Sequence, residues 1–137
     1  MPKLRYPLTV YPFHIDAMGH VNNTVYIQWM EIGRTLLIEA VEMPMSRIMQ
    51  QGFGPVLVAT QISYKKPLLL GDTVTASIWL SQLRGASAEM SFEFFNQHGE
   101  LAAIGAQRGL FITLSTQKPK RLSAEDRDRF SHYLIEA

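Results

Sequence analysis

Two histidines, a carboxylate, a glycine and two asparagines fall within ten residues, at His14, Asp16, Gly19, His20, Asn22 and Asn23. The stretch from Asp16 to Asn23 reads as a loop by its Gly and Asn content, and an apolar helical pattern follows it. That placement has chemical consequences. The first N–H groups of a helix lack intrahelical partners and carry partial positive charge. They can hold an anion or stabilise a developing oxyanion. Gly19 lets the backbone approach a ligand closely. A carboxylate six to seven residues ahead of the helix can fold back beside a polarised carbonyl. Asp16 could then attack that carbonyl or activate water. The same residues also have a purely structural reading. Asp in such a loop forms turns or caps, and Asn22 or Asn23 suits the N-cap. A metal reading uses His14, Asp16 and His20, ligand types found at non-haem iron sites. It is disfavoured, because three ligands crowded into seven residues seldom converge without a second element.

The loop must be positioned by what flanks it. Leu4 to Phe13 is predicted as a first strand, with Tyr6, Leu8, Val10 and Pro12 alternating. Thr24 to Val41 is predicted as a helix. Val25, Trp29, Ile32 and Leu36 fall at i, i+4, i+7 and i+11, and Tyr26, Met30, Leu37 and Ala40 widen the stripe. Gln28, Glu31, Thr35, Glu39 and Glu42 leave only a narrow polar strip. A helix this apolar is normally wrapped by other elements. It spans roughly 27 Å at about 1.5 Å per residue. Gly33 in its middle weakens it by about 1 kcal/mol against Ala, which a close approach to a sheet would explain. After a connector with a short helical turn at Ser46 to Gln51, the period changes to two. Strands are predicted over Val56–Tyr64, Asp72–Leu83, Ala88–Phe95 and Leu101–Leu114, with turns at Arg84-Gly85 and Asn96 to Gly99. Ser123 to Asp126 opens a C-terminal helix reaching about Leu134. The order β-α-β-β-β-β-α, a helix before a four-strand antiparallel meander, is an α+β layout.

Composition sets outer bounds. A chain of 137 residues with 47% hydrophobic and 18% charged residues suits one globular domain over 1–137. The net charge of +1, from 13 basic and 12 acidic residues, gives no basic excess that would favour a nucleic-acid partner. The absence of cysteine excludes disulfides, thiolate nucleophiles and Cys-ligated metal. No apolar run is long enough for a transmembrane helix, and Met1 to Val10 lacks a signal-peptide layout, so no membrane partner and a cytoplasmic location are expected. No Gly-x-Ser-x-Gly elbow or P-loop occurs.

The run Phe13-His-Ile-Asp-Ala-Met-Gly-His-Val-Asn-Asn23, followed by Tyr26 and Glu31-Ile-Gly-Arg34, resembles the signature of the 4-hydroxybenzoyl-CoA thioesterase-like family. The resemblance implies a hot-dog fold, in which an antiparallel sheet wraps a central helix. It also implies hydrolysis of an acyl-CoA or acyl-carrier-protein thioester, with Asp16 as nucleophile or general base. The helix start, with Gly19, His20, Val21, Asn22 and Asn23, would bind the substrate and polarise its carbonyl. Tyr64-Lys-Lys-Pro67 resembles the family's strand-end segment, so Lys65, Lys66 and Arg84 are candidates for the CoA phosphates or else solvated charges. Tyr26, Glu31 and Arg34 match framework positions, read from the residues as helix packing and an i,i+3 ion pair. No cofactor is implied, since coenzyme A is part of the substrate. A homodimer or homotetramer with sites at the subunit interface is implied as well. Many relatives carry an acidic residue where this chain has His14, so no role transfers to that position. Some relatives use a carboxylate of the central helix, which makes Glu31 and Glu39 secondary candidates. Trp29, Met30, Met90 and Phe92 line either an acyl tunnel or ordinary core. A hot-dog protein that binds an acyl thioester without turnover is the alternative function.

Overall fold

The computed structural model describes residues 2–136. Its elements are β1 (Leu4–Thr9), a 3-10 turn (Pro12–His14), α1 (Asn23–Ala40), α2 (Met45–Gln50), β2 (Phe53–Tyr64), β3 (Thr73–Arg84), β4 (Ser87–Phe95), β5 (Leu101–Thr113) and α3 (Ala124–Ser131). The five strands form one antiparallel sheet in the order β1-β3-β4-β5-β2, and α1 packs on one face of it, the expected α+β hot-dog arrangement.

Several boundaries differ from the expectation for local physical reasons. The first strand stops at Thr9 instead of Phe13. Pro12 has no N–H to give a sheet, and His14 Nδ1 accepts the Tyr11 N–H at 3.0 Å, tightening the chain into the 3-10 turn. The C-terminal helix ends at Ser131 rather than Leu134. The chain leaves it to pair with β3, where Leu80 N–H donates to Tyr133 O and Ile135 N–H donates to Leu80 O, both at 2.8 Å. The four-strand meander is also corrected. Only β3, β4 and β5 follow one another as hairpins, while β2 crosses to the far side of β5 and β1 takes the place beside β3. Period-two alternation marks a strand's faces but not its neighbours, and both positions are antiparallel.

Register explains how helix and sheet fit. On the helix-facing side the side chains stand in rows across the strands. Tyr64, Ala103, Phe94 and Ala76 make the first; Ile62, Gly105, Phe92 and Ile78 the second; Thr60, Gln107, Met90 and Leu80 the third; Leu57, Gly109, Ala88 and Leu83 the fourth. Rows lie two residues apart, about 6.7 Å, while four residues of helix rise about 6 Å. A helix ladder at i+4 therefore meets one row after another. Tyr26 packs edge-on against Phe94 and Tyr64 in the first row. Met30 fills the space above Gly105 in the second. Arg34 donates to Gln107 Oε1 at 2.7 Å in the third. Ile38 lines a common cavity with Leu57, Gly109 and Ala88 of the fourth.

The buried face of α1 is thus Val25, Tyr26, Trp29, Met30, Gly33 and Leu37, rotated from the predicted stripe. Ile32 is exposed and Leu36 only half-buried. Gly33 occupies the close approach expected of it. Tyr6 of β1 lies across the helix there, and its hydroxyl donates to Trp29 O at 2.9 Å.

Candidate active site

The Asp16 loop is a small hairpin that delivers the chain to α1. Ile15 and Val21 bridge as antiparallel neighbours. Asn22 N–H donates to His14 O at 2.8 Å on one side of them, and Asp16 N–H donates to His20 O at 2.8 Å on the other. Two residue steps, about 7 Å, separate the Asp16 pair from the start of the helix. Gly19 closes the tip at φ +79°, a left-handed conformation that costs glycine little. Val21 N–H donates to Leu68 O at 2.9 Å, which straps the hairpin to the segment joining β2 to β3, and Val10 N–H, ahead of the hairpin, donates to Asp72 O of the same segment at 3.4 Å.

Asp16 is half-buried, and its two oxygens have different surroundings. Oδ1 accepts the Met18 N–H at 2.9 Å and the His20 N–H at 3.2 Å. Oδ2 accepts no hydrogen bond among the described residues. The turn-forming and the chemical readings of this aspartate are therefore compatible, because one oxygen orients the group and the other stays available. At the helix start Asn22 is the N-cap, its Oδ1 accepting the Thr24 N–H at 3.1 Å. The Asn23 N–H, one residue earlier, has no acceptor among the described residues and keeps the helix's partial positive charge exposed.

Asp16, His20, Val21 and Asn23 line one groove of about 260 Å3, facing Tyr26 and the run Tyr64 to Leu68. Lys65 and Lys66 line the same groove as Asp16. Lys66 pairs with Glu100. Hydrogen bonds from Lys66 and then from Asn96 hold the Glu100 carboxyl below its usual range. Lys65 has no carboxylate within 4.0 Å among the described residues. Burial, followed by Tyr64 beside it, pushes the Tyr26 phenol up to about 12, and burial also raises Tyr64. Both phenols are neutral at physiological pH and neither competes with Asp16 as a base.

Other candidate residues lie elsewhere. Gly19 shapes the hairpin tip and Asn22 is occupied as a cap. Arg84 ends β3 at the β3–β4 hairpin, while the groove lies at the opposite end of the sheet; β3 spans roughly 35 Å, so Arg84 cannot reach the groove within its own chain. Arg34 turns to Gln107 instead of closing an ion pair with Glu31, because Gln107 is a buried amide that needs a partner and also donates to Thr60 Oγ1 at 3.2 Å. Trp29, Met30 and Phe92 are core; Met90 borders a second, larger cavity of about 420 Å3 with Glu31, away from the groove. Glu39 is exposed and lines neither. His14 is turned inward, edge-on to Trp29, and no group of three potential metal ligands occurs among the described residues. Leu68 was not singled out from the sequence; it is fully buried and its carbonyl fixes the hairpin. The apolar run Leu68-Leu69-Leu70 before a turn is the signal that marks it.

Comparison with known proteins gives the family and the fold. Residues 10–130 match the thioesterase-like superfamily. The putative acyl-CoA thioesterase YneP of Bacillus subtilis is 32% identical over 104 residues, 76% of this chain and 75% of the relative. The long-chain acyl-CoA thioesterase FadM of Escherichia coli is 29% identical over 118 residues, 85% of this chain and 89% of the relative. The crystal structure of a DHNA-CoA thioesterase from Staphylococcus aureus superposes with a TM-score of 0.86 at 24% identity, covering 96% of this chain and 88% of that one, and shares the fold.

Proposed function

The chain belongs to the thioesterase-like superfamily, and from that premise we propose that it hydrolyses acyl-CoA thioesters with Asp16 as the reacting carboxylate. The observation that carries this reading is that Asp16 and Asn23 line one groove, and that among the described residues Asp16 Oδ2 accepts no hydrogen bond and the Asn23 N–H has no acceptor. A thioester carbonyl oxygen accepts from the Asn23 N–H, which draws electron density from the carbonyl carbon. Asp16 then either attacks that carbon, giving an acyl-aspartyl anhydride that water opens, or removes a proton from an attacking water. By either route the C–S bond breaks and the products are a carboxylic acid and the free thiol of coenzyme A. Lys65, with no carboxylate within 4.0 Å among the described residues, suits the phosphates of coenzyme A as a charge-assisted donor, while Lys66 can join it only by giving up Glu100. No cofactor is needed for this chemistry. Release of free thiol from a series of acyl-CoAs, and its dependence on Asp16, tests the proposal. Saturable binding with no thiol release from any of them would make the protein a binding module instead.

A second copy of the chain is part of the same proposal. β2 is an edge strand, and it leaves Val56, Leu57 and Val58 exposed. Unpaired edges with apolar side chains are templates for pairing with another chain. A dimer or tetramer is expected by sedimentation at micromolar concentration, and a monomer alone would contradict it.

A further inference from the structure

The larger cavity has a structural cause that the catalytic groove does not share. In three rows of the sheet every small residue is covered: Ala76 and Ala103 flank Phe94, and Gly105 lies under Met30. In the fourth row Ala88 and Gly109 are register partners, and both are small. A β-carbon at Gly109 would meet only Val56 O at 3.3 Å and Met90 Cε at 3.7 Å, with no helix side chain in reach. Arg34, the helix residue before this row, is drawn aside to Gln107. The result is a cavity of about 420 Å3 with a mostly apolar lining that includes Ile38, Leu57, Ala88, Met90 and Phe130. That volume is within the usual range for small-ligand pockets, about 300–1,000 Å3.

Its position relative to the groove says what would fill it. Asn23, Ile27, Glu31, Arg34 and Ile38 follow one another at i+3 or i+4 on a single stripe of α1. Asn23 lines the groove, while Glu31, Arg34 and Ile38 line the cavity. Between them on that stripe stands Ile27, exposed, and in the second row of the sheet Ile62, half-buried. From Asn23 the cavity begins about 12 Å along the helix and ends about 22 Å along it. Three sheet rows give about 20 Å independently. An extended hydrocarbon advances about 1.25 Å per carbon from covalent geometry, so its first ten carbons or so reach the rim and about eighteen reach the end.

We infer that this cavity receives the distal half of a long, unbranched acyl chain whose thioester lies at Asn23, so that the substrates are acyl-CoAs of roughly 12–18 carbons. The inference rests on the hydrolase reading and specifies its substrate class. Each methylene buried contributes about 0.8 kcal/mol, which gives the cavity leverage over chain length and none over short acyl groups.

The test compares the wild type with Ala88→Phe, which fills the cavity from the sheet, and with Thr35→Phe, which fills it from an exposed helix position and avoids disturbing β4. The readout is the ratio of kcat/KM for palmitoyl-CoA to that for octanoyl-CoA. Each variant is expected to lower this ratio by about tenfold or more. An unchanged ratio in both variants, with melting temperatures confirming that they fold, would overturn the inference. A parallel measurement needs no turnover: displacement of a fluorescent C16 fatty acid by palmitate. Should no acyl-CoA be hydrolysed, while palmitate displaces the probe from the wild type but Ala88→Phe binds no probe, the cavity assignment stands and the hydrolase reading falls.

Discussion

Asp16→Asn is expected to lower the rate of thiol release roughly a thousandfold, the middle of the range for removing a group that moves a proton or attacks in the transition state. Its stability is expected to stay within about 0.5 kcal/mol of wild type. The two expectations follow from the different surroundings of the two carboxylate oxygens. Oδ1 holds the hairpin by accepting from the Met18 and His20 N–H groups. An asparagine carbonyl can accept both bonds in the same place, so the loop keeps its shape. What the amide cannot do is attack a carbonyl or take a proton from water. Activity by thiol capture and melting temperature by calorimetry on the same sample separate the two roles. A variant that retains activity would show that the aspartate is only a turn former.

Gly33→Ala is expected to destabilise the protein by about 1–3 kcal/mol, although alanine is the better helix former by about 1 kcal/mol. Packing decides the sign. A β-carbon at this position would collide with the hydroxyl and ring of Tyr6. Tyr6 is itself held, since its hydroxyl donates to Trp29 O and the ring is buried beneath the helix. Relief requires the helix to lift from β1, which loosens the core contacts of Trp29 and Leu37 as well. Denaturant unfolding of Gly33→Ala and of the double variant with Tyr6→Leu checks this. The double variant should lose less stability than the two single losses added together, because the leucine removes the obstructing ring. A Gly33→Ala protein as stable as wild type would show that β1 and α1 are not in this contact.

The parts of the molecule legible in the sequence are those written in local chemistry. The Gly/Asn loop, the N-cap at Asn22, the span of α1 and the spans of the four later strands all depend on neighbours a few residues apart, and each stands close to where its pattern placed it. Asp16, His20, Val21, Asn23, Lys65 and Lys66 do share one groove. The features that escaped depend on partners distant along the chain. Nothing in the β-forming residues of Val56–Tyr64 tells β2 to pair with β5 instead of β3. The face of α1 that is buried could not be read from a helix apolar on most sides, and Ile27 and Ile32 remain exposed as a result. Arg34 looked like the partner of Glu31 because that residue is three positions away, whereas Gln107 is distant in sequence and closer in space. The cavity depends on Ala88 and Gly109 being opposite each other, a coincidence of register between strands.

Everything chemical here depends on a thioester carbonyl coming to rest between the first free amide of α1 and the unengaged oxygen of the hairpin carboxylate. The direct measurement is a crystal structure with a long-chain acyl-CoA analogue in which a methylene replaces the thioester sulfur. Its ketone oxygen should lie about 3 Å from the Asn23 nitrogen, with Asp16 Oδ2 about 3–3.5 Å from the carbonyl carbon or from a water placed to attack it. A ketone bound beyond reach of both groups, with Asp16 facing only solvent, would contradict it.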